Sequence, residues 1–91
     1  MKYKLVISSK FSKDLKTISK RGYDLNLIKS VINELANGNS LSKKYKDHPL
    51  IGDYQGKREC HILPDWLLIY EIDNDKLYLY LVRTGSHSDL F

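Results

Sequence analysis

Lys57-Arg58-Glu59-Cys60-His61-Ile62-Leu63, Pro64-Asp65, Trp66-Leu67-Leu68-Ile69-Tyr70-Glu71-Ile72, Asp73-Asn74-Asp75 and Lys76-Leu77-Tyr78-Leu79-Tyr80-Leu81-Val82-Arg83 form the stretch that decides the fold. Three runs rich in aromatic and branched residues are interrupted twice by turn formers, which predicts three consecutive strands in an antiparallel meander. The first run alternates, with Arg58, Cys60 and Ile62 on one side and Glu59, His61 and Leu63 on the other. The middle run is largely apolar and reads as the central strand. Gly85 is expected to break the third strand and free a tail, Ser86 to Phe91.

Upstream, Lys2 to Ile7 alternates and ends in branched residues, which predicts a first strand. Ser8 and Ser9 stop it, and Ser9 is the better candidate cap for a helix over 9–20, where Phe11, Leu15 and Ile18 recur at helical spacing before Gly22. Lys10, Lys13, Lys16 and Lys20 make a basic stripe on its other face, either solvated or facing a phosphate backbone. Asp24 caps a second predicted helix, with Leu25, Ile28, Val31, Ile32 and Leu35 on one face and a stop at Asn37-Gly38. Both apolar stripes read as core. From Asn39 to Gly56 the periodicity vanishes, yet Tyr45, His48, Leu50 and Ile51 argue against disorder. The expectation is an ordered loop presenting His48, whose backbone Pro49 restricts. The fold class is therefore α+β in a single domain, 1–91: a strand, a two-helix hairpin and a three-strand meander, with the helices on one sheet face.

The 91 residues hold one cysteine, which excludes an internal disulfide and any cysteine-based zinc module and suits a reducing compartment. Cys60 reads as a small strand residue, not a nucleophile. Only Leu5-Val6-Ile7 follows the basic start before polar Ser8, so no signal peptide is expected, and no apolar run approaches the ~20 residues of a membrane span. The expected location is cytoplasmic. Fifteen Lys and Arg against eleven Asp and Glu give a net charge of +4, which favours a polyanionic or acidic partner.

Three histidines, His48, His61 and His87, supply groups that titrate near neutral pH. Cutting RNA through its own 2′-hydroxyl needs a base, an acid and positive charge, with no metal or cofactor. His61 at a strand end, Asp65 past the turn and His87 in the tail fall at one edge of the predicted sheet. Lys46, Arg58 and Arg83 would supply charge, and Trp66 and Phe91 would offer faces for base stacking. Two rivals stand beside this reading: a histidine-only zinc site, and a non-enzymatic module that binds a protein target.

Three ordered motifs carry a resemblance. Tyr45-Lys46-Asp47-His48-Pro49-Leu50, then Arg58-Glu59-Cys60-His61 with Pro64-Asp65-Trp66-Leu67-Leu68-Ile69-Tyr70, then Arg83-Thr84-Gly85-Ser86-His87-Ser88-Asp89-Leu90-Phe91 closely resemble the YafQ branch of the RelE/ParE toxin superfamily. The resemblance extends to Phe11-Ser12-Lys13-Asp14-Leu15 and so covers nearly the whole chain. It implies a RelE-like fold and a ribosome-dependent mRNA endonuclease, the toxin of a toxin–antitoxin pair. Its implied partners are a cognate antitoxin, the ribosome and mRNA, with no membrane. By the same resemblance His48, His61, Asp65 and His87 form the catalytic cluster, with His87 as general acid and Asp65 or His61 as base. Trp66 and Phe91 would belong to that site. A ParE-like toxin acting on a protein would not need this histidine set.

Overall fold

In the computed structural model, which describes residues 1–91, strand β1 (Lys4–Ile7) runs into helices α1 (Ser9–Lys20) and α2 (Leu25–Ala36). Ser8, not Ser9, caps α1: its backbone is extended and its hydroxyl accepts from the Phe11 N–H at 3.0 Å. The same hydroxyl donates to the Val82 carbonyl at 2.8 Å, a tertiary contact that helical spacing cannot reveal. At the other end Gly22 takes a φ of +84°, and the Tyr23 N–H reaches back to the Ile18 carbonyl at 3.3 Å. That left-handed turn closes the helix as a glycine C-cap does. Asp24 caps α2 by accepting from the Asn26 N–H at 2.9 Å.

The segment after α2 is ordered by two short 3-10 turns, Lys43–Tyr45 and Gly52–Tyr54, around a two-residue strand, β2 (His48–Pro49). The predicted meander follows as β3 (Arg58–Leu63), β4 (Trp66–Asp73) and β5 (Tyr78–Gly85). β5 begins two residues later than the alternation suggests. The Asp73 carboxylate accepts from the N–H groups of Asp75 and Lys76, both at 3.0 Å, and Leu77 adopts a φ of +57°, so the turn consumes Lys76 and Leu77. Sheet order is β1-β5-β4-β3-β2, with β1 parallel to β5 and β4 central.

The helices cover one sheet face. Phe11 and Ile18 of α1 and Ile28, Val31 and Leu35 of α2 are buried with Cys60, Trp66, Leu68, Tyr70, Leu79 and Leu81. Burying such side chains contributes roughly 1.5–3 kcal/mol each. On the opposite face Leu67, Ile69 and Leu90 form a smaller cluster bordered by Leu50, Tyr54 and Val82. Leu90 belongs to a short terminal helix, α3 (His87–Leu90), so the tail is folded onto the sheet and is not free. Gly85 is the last residue of β5, paired with Leu67, and does not break the strand. A Cβ there would stand 3.0 Å from the Asp89 side chain, so the close return of α3 favours glycine. No helix is long and apolar enough to cross a membrane.

Candidate active site

The pairing of β2 with β3 sets His48 opposite Glu59, and the strand's alternation carries His61 to the same face two residues on. The Glu59 side chain is buried, and its Oε1 lies 3.4 Å from His61 Nε2 and 3.9 Å from His48 Nε2. The imidazole centroids are 6.3 Å apart. Each ring is oriented from behind by a main-chain carbonyl: His48 Nδ1 donates to Lys46 at 2.7 Å and His61 Nδ1 to Pro64 at 3.2 Å. A carbonyl only accepts, so each Nδ1 carries the hydrogen and each Nε2 is the free nitrogen. Lys46 takes a left-handed φ of 50° to aim its carbonyl at His48. Both Nε2 atoms therefore face one carboxylate.

Glu59 was not among the residues expected here. Its alternation with His61 on β3 was a signal, but a two-residue β2 that sets His48 across from it was not legible.

His87 opens α3, and its N–H donates to Asp65 Oδ1 at 3.3 Å. Its ring lies over Phe91 with centroids 4.9 Å apart and planes tilted by 31°, and Phe91 in turn meets Tyr54 edge-on at 5.6 Å. Phe91 remains 56% exposed, so this aromatic group reaches the surface. One turn links the two halves of the site: Pro64 offers its carbonyl to His61, and Asp65 offers its carboxylate to His87.

α3 is held by Asp89, whose carboxylate accepts from the Ser86 N–H at 2.8 Å and from Arg21 at 2.6 and 3.1 Å. The Arg21 hydrogen bonds first, and the Ser86 N–H after them, hold the Asp89 carboxyl well below the usual carboxylate range.

Three expected RNA contacts are placed otherwise. Trp66 has no exposed surface: its Nε1 donates to Thr84 Oγ1 at 2.9 Å and Tyr23 packs edge-on to its ring, so it is core and no stacking platform. A strand start beside a turn looks accessible in sequence, but α1 and α2 cover that face. Arg83 is engaged by Asp14 at 2.7 and 3.0 Å, and Arg58 by Asp47 at 3.2 and 3.3 Å. These hydrogen bonds raise both guanidinium pKa values and neutralise the charge expected to be free. Lys46 and the α1 lysines, Lys10, Lys13, Lys16 and Lys20, are exposed. Cys60 is buried, and burial pushes its thiol up to about 12. No three His, Cys, Asp or Glu side chains are grouped closely enough to hold a metal ion.

The family described as "Bacterial toxin of type II toxin-antitoxin system, YafQ" matches residues 3–91. The mRNA interferase toxin YafQ of Escherichia coli (strain K12) is 46% identical over 85 residues, which is 92% of this chain and 90% of the relative. Among solved structures, a metal-bound toxin from Helicobacter pylori superposes with a TM-score of 0.91 at 49% identity, covering 98% of this chain and 99% of that one. YafQ from the E. coli DinJ–YafQ complex superposes with a TM-score of 0.90 at 40% identity over 98% of each chain. With nearly its full length matched in sequence and in fold, the chain belongs to the YafQ family, the toxins of bacterial type II toxin–antitoxin systems.

Proposed function

We propose that this toxin is an endoribonuclease that cuts mRNA during translation on the ribosome, in the cytoplasm, with side chains as acid and base and no metal. The observation that carries the reading is the pair of imidazoles oriented by carbonyls onto buried Glu59. Nε2 of His61 and of His48 stand farther from Glu59 than a formed charge-assisted hydrogen bond, about 2.7–2.9 Å, so both remain able to meet RNA. In the reaction His61 or Asp65 takes the 2′-hydroxyl proton, and O2′ attacks phosphorus as the bond to O5′ breaks. His87 gives a proton to O5′, leaving a 2′,3′-cyclic phosphate and a 5′-hydroxyl. Glu59 stabilises the imidazolium formed at His61, Lys46 meets the phosphate, and the exposed Phe91 meets a base.

An acidic antitoxin is the partner this +4 chain calls for, and the E. coli relative is held in a complex with DinJ. The test maps mRNA 5′ ends on translating ribosomes after expression of the toxin alone. His87→Gln is expected to fold and bind ribosomes while losing about 10²-fold of the cleavage rate. Chelator is expected to have no effect beyond the ribosome's own magnesium requirement. Full activity in His87→Gln, or recovery of a stripped protein by zinc alone, overturns the reading.

A further inference from the structure

Beside the histidine–glutamate cluster, and sharing His61 and Lys46 with it, lies a cleft of about 470 Å³. It opens where β2 stops: β2 pairs only with Arg58 and Glu59, so from Cys60 to Leu63 the outer edge of β3 has no strand beside it. The Lys43–Tyr45 turn and α2 stand across from that edge and complete the cleft. Its apolar surface comes from Leu27 of α2 with Leu63 and Pro64, and the two leucines are 39% and 42% exposed. Its polar groups are few: the Ser30 hydroxyl on α2, Lys44 and Lys46, and Tyr45, over whose ring Lys44 Nζ sits at 5.0 Å.

The ladder also fixes what the open edge presents. The Leu50 N–H donates to the Lys57 carbonyl at 2.9 Å, which makes that pair and the His48–Glu59 pair the hydrogen-bonded ones. By alternation, the N–H and C=O of His61 point out of the same edge, beyond the end of β2. His61 is one of the residues lining the cleft. An apolar cleft that ends in one main-chain donor and one main-chain acceptor matches the hydrogen-bonding edge of a base. The two lysines at the rim match the phosphates on either side of it.

We propose that this cleft is a nucleobase subsite for single-stranded RNA, taking the base next to the phosphate held at His48, His61 and Lys46. This deepens the ribonuclease reading and rests on it for the position of that phosphate. An apolar anchor from an acidic protein would also meet leucines and lysines. The paired main-chain donor and acceptor and the continuity with the histidine cluster favour a base.

The test fills the cleft from a position with no part in the chemistry. Ser30 is exposed on α2, so Ser30→Trp is expected to keep the fold while occupying the slot. The four nucleoside 3′-monophosphates are titrated into isotope-labelled protein, with binding read from backbone amide shifts. Saturable shifts are expected at Ser30, Tyr45, His61 and Leu63, with affinity falling about 10-fold or more in Ser30→Trp, the scale of one lost stacked base. Shifts confined to His87 and Phe91, no saturable shift, or unchanged binding in a folded Ser30→Trp each overturn the proposal. So does a saturable shift of the same amides by an acidic peptide when no nucleotide produces one. The titration does not depend on cleavage, so a wild-type protein that cuts no mRNA sinks the enzymatic reading while the subsite is still decided. On ribosomes, Ser30→Trp is expected to lose base preference beside the cut.

Discussion

Arg21, just past the end of α1, grips Asp89 of α3 with both arms of its guanidinium, Nη1 to Oδ2 at 2.6 Å and Nη2 to Oδ1 at 3.1 Å. The helical hairpin thereby holds the residue that also caps the Ser86 N–H, and with it the backbone that carries His87. Asp89→Asn keeps the shape but loses the bidentate ion pair. The expected result is a drop in cleavage rate with little change in melting temperature, and weaker hydrogen-exchange protection of the α3 amides.

The same pair sets a response to acid. The Asp89 carboxyl is depressed in the fold, so its contribution is present above the ordinary value of about 3.9 and is lost as pH falls from there toward the depressed value. The Ser86 amide shift is expected to stay in place as pH falls through about 4 and to move only well below it, with Arg21→Ala moving that transition upward.

Glu59→Gln keeps the side chain's size and removes its charge between the two imidazoles. Cleavage is expected to fall by about 10- to 100-fold, because the imidazolium formed on taking a proton loses its counter-charge. The readout is the cleavage rate measured beside thermal unfolding: a merely packing role for Glu59 moves the melting temperature and leaves the rate in place.

Thr84 stands between two buried groups, accepting from Trp66 Nε1 at 2.9 Å and donating to the Leu67 carbonyl at 2.6 Å. Thr84→Val matches it in shape and leaves the indole N–H without a partner. The expected cost is about 1–3 kcal/mol in denaturant unfolding, with active-site amide shifts unchanged. A neutral effect would mean that the buried indole finds another acceptor.

Phe91→Trp and Phe91→Ala separate stacking from packing. The ring braces His87 and the residue is exposed, so alanine is expected to slow cleavage about 5- to 150-fold while tryptophan largely preserves it. Equal, undiminished rates in both variants would make the aromatic end incidental.

Local chemistry made most of the fold legible. Asp24, Gly22 and the two turns announce themselves by residue type, and the apolar spacing of α1 and α2 names the buried stripe. What the sequence could not reveal depended on pairings between distant segments. Ser8 displaces Ser9 as a cap because Val82 lies beside it. Arg58 and Arg83 look like free charge until Asp47 and Asp14 are brought next to them. Trp66 looks like a platform until the helices cover it. Of the candidate site, the histidines, Asp65 and Phe91 were visible as residue types in motifs. Glu59 emerged only when a two-residue strand set His48 across from it. α3 was hidden because four residues carry too little periodicity to register as a helix.

β1 and β5 lie side by side, with Lys4 in register with Tyr78. The β3–β4 and β4–β5 pairs are sequence-local and close quickly once those strands have been made. β1 must wait for a partner made near the other end, and closing so long a loop is slow. Until then the nascent chain has an incomplete sheet, and α1 lacks the strand on which Arg83 and Thr84 meet Asp14. A cell that makes this toxin therefore gains an interval, lasting through most of its synthesis, in which a partner can engage the chain before it is able to cut anything.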